Sequence, residues 1–196
     1  MEQYFICPRC HKKVTVSTNR LLFTANAKEK HAEIKFIKPL FSVVCDRCQE
    51  DMFECDKEMV YPVIGLNKKG YETHSCCAGH HININPENLN INELYSVPYI
   101  VFIPGNAFFN YDSEKIKDIY DICTNISHEF ELVKVEISKK FINMDGIDLE
   151  SIYIYAYDNP KYAATFADSS YKWVRAKREF FEFIDKLIEA LPNYNI

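Results

Sequence analysis

The sequence predicts an α+β protein, with a four-cysteine module at the N-terminus and then a sandwich of helices on one face of a mainly antiparallel sheet. Two Cys-x-x-Cys pairs, Cys7–Cys10 and Cys45–Cys48, define the module. From residue 56 to residue 191, the hydrophobic periodicity follows the order helix, strand, strand, helix, strand, strand, helix. We therefore predict two domains, residues 1–52 and residues 53–196.

The composition is that of a globular chain. Apolar residues make up 47% of the 196 residues, while glycine and proline number only 5 and 8. No apolar run reaches the roughly 20 residues that a membrane-spanning helix needs, and the N-terminus lacks a basic region followed by an apolar one. We expect a cytoplasmic protein that has no membrane partner.

The charge of the chain is unevenly distributed. The net charge is -5, yet residues 1–40 hold eight basic and three acidic side chains, which leaves -10 on the remainder. The negative total argues against non-specific binding of a phosphate backbone by the whole surface. The basic residues 1–40 could contact nucleic acid, or their charge could serve only to keep a small module soluble. Solvated charge is the commoner reason for such an uneven distribution.

The two cysteine pairs have the spacing of a structural zinc site. Two residues separate the cysteines within each pair, so each turn can offer two thiolates to the same ion. With Cys7, Cys10, Cys45 and Cys48 as ligands of one Zn²⁺, no position stays open for a substrate, and the site would be structural. The alternative is a redox disulfide, but thiol oxidoreductases use one such pair at a helix start.

The insert between the pairs, residues 11–44, predicts the strands of a zinc ribbon. Apolar and polar residues alternate at Lys13–Thr18 and Ala32–Ile37, and an apolar run at Phe41–Cys45 leads into the second pair. A module of this size buries little apolar surface, so the ion should supply much of its folding free energy.

A short helix is predicted after the module. Asp56 is placed to cap a turn that leads into apolar residues at helical spacing, Met59–Leu66. Pro62 predicts either a kink or the first turn of the helix. Two lysines followed by Gly70 are typical of a helix end, where glycine adopts a left-handed backbone.

The strand that follows the helix, at residues 71–76, should place alternate side chains on opposite faces. One face would hold Tyr71, Thr73 and Ser75, and the other would hold Glu72, His74 and Cys76.

Three more strands and two more helices complete the predicted body. The strands fall at residues 95–105, 130–138 and 151–158. The first helix, capped by Ser113, has an apolar stripe of Ile116, Ile119, Tyr120, Cys123 and Ile126. The second helix begins at Ser169 or Ser170 and turns inward Trp173, Ala176, Phe180, Ile184, Leu187 and Leu191. Its basic residues are spaced for the intrahelical pairs Arg175–Glu179 and Arg178–Glu182, which favours a solvated face over a phosphate site.

The run SCCAGHH concentrates cysteine and histidine at the end of a predicted strand. The candidate ligand-binding residues around it are Thr73, Ser75, Cys76, Cys77, Gly79, His80 and His81. These cysteines and histidines could bind a second metal ion, or a thiolate activated by an imidazole could be a nucleophile or redox centre. The sequence shows no third residue to orient such a pair, and the catalytic residues stay unassigned. In the third interpretation, which we favour, the turn is a binding or packing element, in which the cysteines are small buried hydrophobic residues and the histidines are hydrogen-bonded.

Two resemblances bear on function. The segments CPRC, CDRC, ECD and LNKKGYETHSCCAGH are similar to a family of bacterial and phage proteins in which a zinc ribbon precedes an LNxKGYxTxxCCxGH-like signature. This resemblance covers residues 1–80 apart from the insert. A weaker one relates SCCAGH to the CSGR turn of wybutosine-pathway tRNA methyltransferases, which contact S-adenosylmethionine and tRNA. There Cys77 and Gly79 match, but His80 replaces an arginine, which removes a phosphate-binding cation.

These observations predict a zinc-binding protein that acts by contacting a macromolecule, either a protein or a nucleic-acid complex. The first resemblance is to a family without an assigned function and is consistent with a phage or mobile-element origin. Inhibition of a host defence that targets nucleic acid is one form that such a contact could take, although no residue selects it. The alternative is an enzyme, or a nucleotide- or RNA-binding protein, that uses the Thr73–His81 turn. A DNA-reading regulator is less favoured, because no helix-turn-helix pattern is present.

Overall fold

The computed structural model describes residues 2–17, 23–24, 35–36, 43–83, 93–105, 113–138, 143–144, 147–148, 150–156, 164–165 and 170–194. The strands in these ranges are β1 (Glu2–Ile6), β2 (Lys13–Ser17), β3 (Phe23–Thr24), β4 (Lys35–Phe36), β5 (Phe53–Cys55), β6 (Tyr71–Cys77), β7 (His81–Asn83), β8 (Glu93–Ser96), β9 (Tyr99–Pro104), β10 (Val133–Ser138), β11 (Asn143–Met144), β12 (Ile147–Asp148), β13 (Ser151–Ala156) and β14 (Ala164–Thr165). The helices are α1 (Val60–Lys68), α2 (Ser113–Ser127) and α3 (Ser170–Ala190).

The N-terminal module contains a three-stranded antiparallel sheet in the order β2-β1-β5. The predicted strand at Lys13–Thr18 is confirmed as β2. Of the strand predicted at Ala32–Ile37 only β4 lies within the described residues, and it pairs with β3. The boundary between residues 52 and 53 stays a prediction, although β5 lies just beyond it and completes the sheet of the module.

The body is an α+β sandwich, as predicted. Its main sheet has the order β10-β13-β9-β6 with antiparallel neighbours. Helices α2 and α3 pack against β10 and β13, and α1 packs against β6. The core between the helices and this sheet face includes Ile100, Phe102, Ile152, Ile154, Phe180 and Phe183.

Three further antiparallel pairings lie outside that sheet: β7 and β14 flank β8, and β11 pairs with β12. The strand predicted at residues 95–105 is therefore two strands, β8 and β9, which belong to different sheets. Pro98 lies between them and lacks the N–H that an unbroken strand would need.

Helix α1 ends as the sequence predicts, but it begins differently. A single 3-10 turn at Lys57–Met59 leads into the helix, so that Pro62 occupies the first turn of α1. Asp56 precedes this turn but makes no side-chain capping hydrogen bond, which corrects its predicted role. Gly70 has a φ of 88°, the left-handed backbone that the sequence predicted.

Strand β6 contains a bulge that the alternation pattern did not predict. Thr73 pairs with Phe102 and Ser75 pairs with Val101, so His74 is an extra residue on β6. Paired residues share a face of the sheet. Beyond the bulge, Cys76 therefore lies on the helix-covered face and packs against the core, whereas Ser75 lies on the opposite face. The predicted faces of these last two residues were wrong.

Helix α3 makes both of the predicted intrahelical pairs. Arg175 lies 2.7 Å from Glu179, and Arg178 lies 3.7 Å from Glu182. Glu179 is buried, and its second carboxylate oxygen accepts the Leu132 backbone N–H at 2.9 Å, which ties α3 to the chain before β10. None of the described helices is long and apolar enough to cross a membrane.

Candidate functional site

The two cysteine pairs lie in turns with the same backbone geometry. The Cys7 N–H donates to the carbonyl five residues further on at 2.9 Å, and the Cys7 carbonyl accepts the His11 N–H at 3.0 Å. Around Cys45 the equivalent bonds are both 2.8 Å, and the second runs from the Gln49 N–H. His11 and Gln49 have left-handed φ values of 57° and 58°. The repeated turn brings both cysteines of each pair to one side.

The four cysteine sulfurs converge on one point. The Sγ atoms of Cys7, Cys10, Cys45 and Cys48 all lie within 4.8 Å of one another, and those of Cys10 and Cys45 are 3.6 Å apart. With Zn–S bonds of about 2.3 Å, tetrahedral geometry places sulfurs about 3.8 Å apart. A disulfide needs about 2.05 Å, and all four cysteines are free. The cluster can therefore hold a metal ion.

The thiols of the four-cysteine cluster differ in pKa. Burial raises the pKa of the Cys7 thiol. Burial also raises the pKa of Cys45, but hydrogen bonds from the N–H groups of Arg47 and Cys48 and from neighbouring thiols outweigh it and lower that pKa to about 7. The hydrogen bond with Cys10 is the largest of the effects that raise the pKa of Cys48 to about 12. Because a bound ion must displace the remaining protons, its affinity should rise with pH.

Two ion pairs link the two cysteine turns to each other. Lys12 Nζ lies 2.6 Å from an Asp46 carboxylate oxygen, and Arg9 lies 3.3 Å from Glu50. Each pair joins a residue of the first turn to one of the second. Exposed pairs of this kind contribute little to stability, because solvent and salt screen their charges. Sequence reasoning missed them, because only the folded module brings the turns together.

The first cysteine turn rests on the end of α1. His11 hydrogen-bonds the Asn67 backbone, and burial is the largest effect that lowers the pKa of His11, followed by the charge of Lys68. Asn67 is itself buried, and its side-chain oxygen accepts the Thr73 N–H at 3.1 Å. The N-terminal module is thus joined to the body through side chains at the α1–β6 junction.

A second cluster lies where β6 ends. Asp56, Cys77 and His80 offer donor atoms that all lie within 4.8 Å of one another. His80 Nε2 is 3.1 Å from Asp56 Oδ2, and the Cys77 side chain also hydrogen-bonds His80. Sequence reasoning missed Asp56 because a carboxylate before a helix looks like a cap. Its side chain instead accepts the Ala78 N–H at 2.7 Å.

The Asp56 carboxylate and the His80 imidazole each stabilise the charged form of the other. The hydrogen bond to Asp56 is the largest of the effects that raise the pKa of His80 to about 10, and the hydrogen bond with Cys77 is the next. Burial raises the pKa of Asp56, but hydrogen bonds from His80 and from the Ala78 N–H outweigh it and hold the pKa below its ordinary value. At neutral pH, the imidazolium and the carboxylate therefore form an ion pair.

Of the other predicted residues of this turn, none whose side chain is described joins the cluster. Thr73 is buried, and Ser75 hydrogen-bonds the Tyr99 hydroxyl at 3.1 Å. Burial raises the pKa of Cys76, which packs against the core. Gly79 contributes its backbone, with a φ of 75°. His81 begins β7, and its side chain lies outside the described part of the chain.

No family model, curated protein or solved structure matches this chain. The two resemblances therefore stay predictions that rest on the motifs alone.

Proposed function

We propose that this protein is a zinc-binding interaction protein, in which a four-thiolate centre shapes the N-terminal module for contact with a macromolecular partner. The observation that carries the proposal is the repeated cysteine turn that gathers Cys7, Cys10, Cys45 and Cys48. Four thiolates in tetrahedral arrangement favour zinc among the common metal ions. They also fill its coordination, so this centre supports structure rather than catalysis.

A protein is the favoured partner. The net charge of -5 opposes non-specific binding to nucleic acid. Near the centre, Arg9 and Lys12 are already paired with carboxylates of the module. These cations would have to give up their partners before they contact a phosphate. Val44, next to the second cysteine pair, is 50% exposed and is a side chain that a protein contact could bury.

An inhibitor of a host system that targets nucleic acid is one form of this function. Such an inhibitor would offer acidic surface to a nucleic-acid channel. The charge of -10 beyond residue 40 supports this form, and the same charge could serve any partner with a basic surface.

The test begins with metal content. Wild-type protein purified without chelator should contain zinc, and the Cys45→Ser variant should not, because it lacks one of the four thiolates. The Cys55→Ala variant is the control and should still contain zinc, because Cys55 lies in the core of the body. Absence of zinc from the wild-type protein would rule out the metal centre.

The second arm of the test addresses the partner. A protein captured by the wild-type chain should bind in purified form, and Val44→Asp should weaken that binding without lowering the melting temperature. If random-sequence RNA or DNA instead binds tightly at physiological salt, the protein partner is the wrong choice.

The alternative is an enzyme, or a nucleotide- or RNA-binding protein, that uses the Thr73–His81 turn. The observation that favours it is the contact of Asp56 with His80, which supplies the third residue that the sequence did not reveal. His80→Ala would then abolish activity in a protein that stays folded.

A further inference from the structure

We propose that Asp56, Cys77 and His80 form a second metal site, which takes a divalent transition-metal ion such as zinc and leaves one coordination position open. This inference does not depend on the function proposed for the cysteine module. It rests on the arrangement of three different donor atoms at the end of β6.

The three donors come from separate parts of the chain and meet at one place. Asp56 follows β5, Cys77 is the last residue of β6, and His80 lies in the turn after it. The Asp56 Oδ2 to His80 Nε2 distance is 3.1 Å. Oxygen and nitrogen ligands at about 2.05 Å from a tetrahedral zinc ion lie about 3.3 Å apart, so only a small adjustment would admit the ion.

Backbone groups of the same turn already orient two of these donors. The Ala78 N–H donates to Asp56 Oδ2 at 2.7 Å, and the Gly79 N–H lies 3.4 Å from Cys77 Sγ. A carboxylate oxygen has a second lone pair, which stays available to a metal. Hydrogen bonds that fix a ligand in this way are typical of metal sites, where they hold the donors ready for the ion.

The donor set and its exposure distinguish this site from the four-cysteine centre. One oxygen, one sulfur and one nitrogen suit zinc, and three protein ligands leave a fourth position for water or a substrate atom. The His80 side chain is 45% exposed and that of Asp56 is 29% exposed. Cys7 and Cys45 are almost completely buried. A ligand with an oxygen or nitrogen donor could therefore reach an ion here.

Lys177 provides a further test of the assignment. Its ammonium group lies 2.9 Å from Glu58 and 3.3 Å from the Gly79 carbonyl oxygen, next to the cluster. A positive charge there opposes the binding of a cation. Removing that charge should tighten the binding of a metal cation, whereas the binding of an anionic ligand at the same place would be weakened by the change.

The experiment is a Zn²⁺ and Co²⁺ titration of the full-length chain, with the bound ions counted by elemental analysis. The wild-type protein should bind two ions, and Cys77→Ser and His80→Ala should each bind one while staying folded. Cys76→Ala is the matched control, since Cys76 lies on the opposite face of β6, and it should keep two. Lys177→Gln should lower the dissociation constant of the Asp56–Cys77–His80 site for the ion by about threefold or more.

The stoichiometry separates this proposal from the one on the module. A chain that binds one ion and loses it in Cys77→Ser would support this site and rule out the module as a metal centre. A chain whose metal content is unchanged in Cys77→Ser and His80→Ala would overturn the second site. Equal alkylation of Cys77 by iodoacetamide with and without Zn²⁺ would also overturn it, because a bound ion shields its thiolate ligand.

Discussion

Gly70 lies where the end of α1 meets the C-terminal segment, and replacing it with alanine should destabilise the protein for two separable reasons. The first is its φ of 88°, which a residue with a Cβ avoids. The second is a collision, because a Cβ built on Gly70 lies 2.4 Å from the Tyr194 carbonyl oxygen and 2.8 Å from the Tyr194 Cβ. No flexible side-chain end can move aside to relieve it, so the C-terminal segment must shift.

The magnitude follows from what that shift would break. The left-handed backbone alone costs about 1–2 kcal/mol for a non-glycine residue. Moving the segment also weakens the hydrogen bond from the Tyr194 N–H to the Lys69 carbonyl, 2.6 Å long, which contributes about 1 kcal/mol. The contact of the Tyr194 and Tyr71 rings, with centroids 6.2 Å apart, contributes about 0.5 kcal/mol or more. We expect Gly70→Ala to lower the free energy of unfolding by about 3 kcal/mol.

Urea denaturation of four proteins would separate the two causes: the wild-type chain, Gly70→Ala, a chain that ends at residue 193, and the truncated chain with Gly70→Ala. Truncation removes the atoms that the new Cβ meets, so Gly70→Ala should cost only about 1–2 kcal/mol in that background. An equal cost in both backgrounds would refute the collision. A cost near zero in the full-length chain would refute both parts of the reasoning.

Three further predictions concern the packing of the body. Gly65→Ala should change the free energy of unfolding little, because the Ile188 Cδ1 atom that its Cβ would meet at 2.7 Å is the end of a flexible side chain and alanine favours the helix. Adding Ile188→Val, which lacks that atom, should make the alanine stabilising by up to about 1 kcal/mol in urea denaturation, and a loss of stability in that background would contradict this. Glu179→Gln should lower the free energy of unfolding by about 2–4 kcal/mol, because the buried carboxylate accepts hydrogen bonds from Arg175 and from the Leu132 backbone N–H. The melting temperature should fall accordingly, and an unchanged value would contradict this role. Burial lowers the pKa of His74 to about 4, so the unfolded chain gains a proton that the folded chain does not as pH falls below 6.5. Stability should therefore fall between pH 6.5 and about 4, and a slope unchanged in His74→Leu would refute this assignment.

The predictable features are those written in local sequence. The two-residue spacing of the cysteine pairs identified the four cysteines that converge, because the chemistry of the turn is contained in four successive residues. Gly70 marked the end of α1, since a glycine directly after two lysines is typical of a helix C-terminus. The apolar stripe of α3 predicted its inward face except for Trp173, which is only partly buried, because helical periodicity is also a local property of the chain.

The features that were missed depend on contacts distant in sequence. The bulge at His74 reverses the faces of Ser75 and Cys76, and it is defined by the register of β6 against β9 rather than by any residue type. Asp56 accepts a hydrogen bond from Ala78 across the space between β5 and β6, so its capping position was misleading. The second cluster could not be identified from the SCCAGHH run alone, because one of its three members lies outside that run.

Strand β1 belongs to the sheet of the N-terminal module and also packs against the core of the body, so it couples the stabilities of the two parts. Successive side chains of β1 point to opposite faces of the strand. Phe5 packs in the small core of the module, as does Cys7 just after the strand, whereas Tyr4 and Ile6 pack in the core of the body. If the four cysteines hold an ion, as proposed, the free energy of metal binding would contribute to the folding of the module around it. Loss of the ion would therefore loosen a strand that the body core also uses, and the two parts should lose stability together. By the same coupling, a partner that binds and orders the cysteine turns would stabilise the body, although it touches only the module.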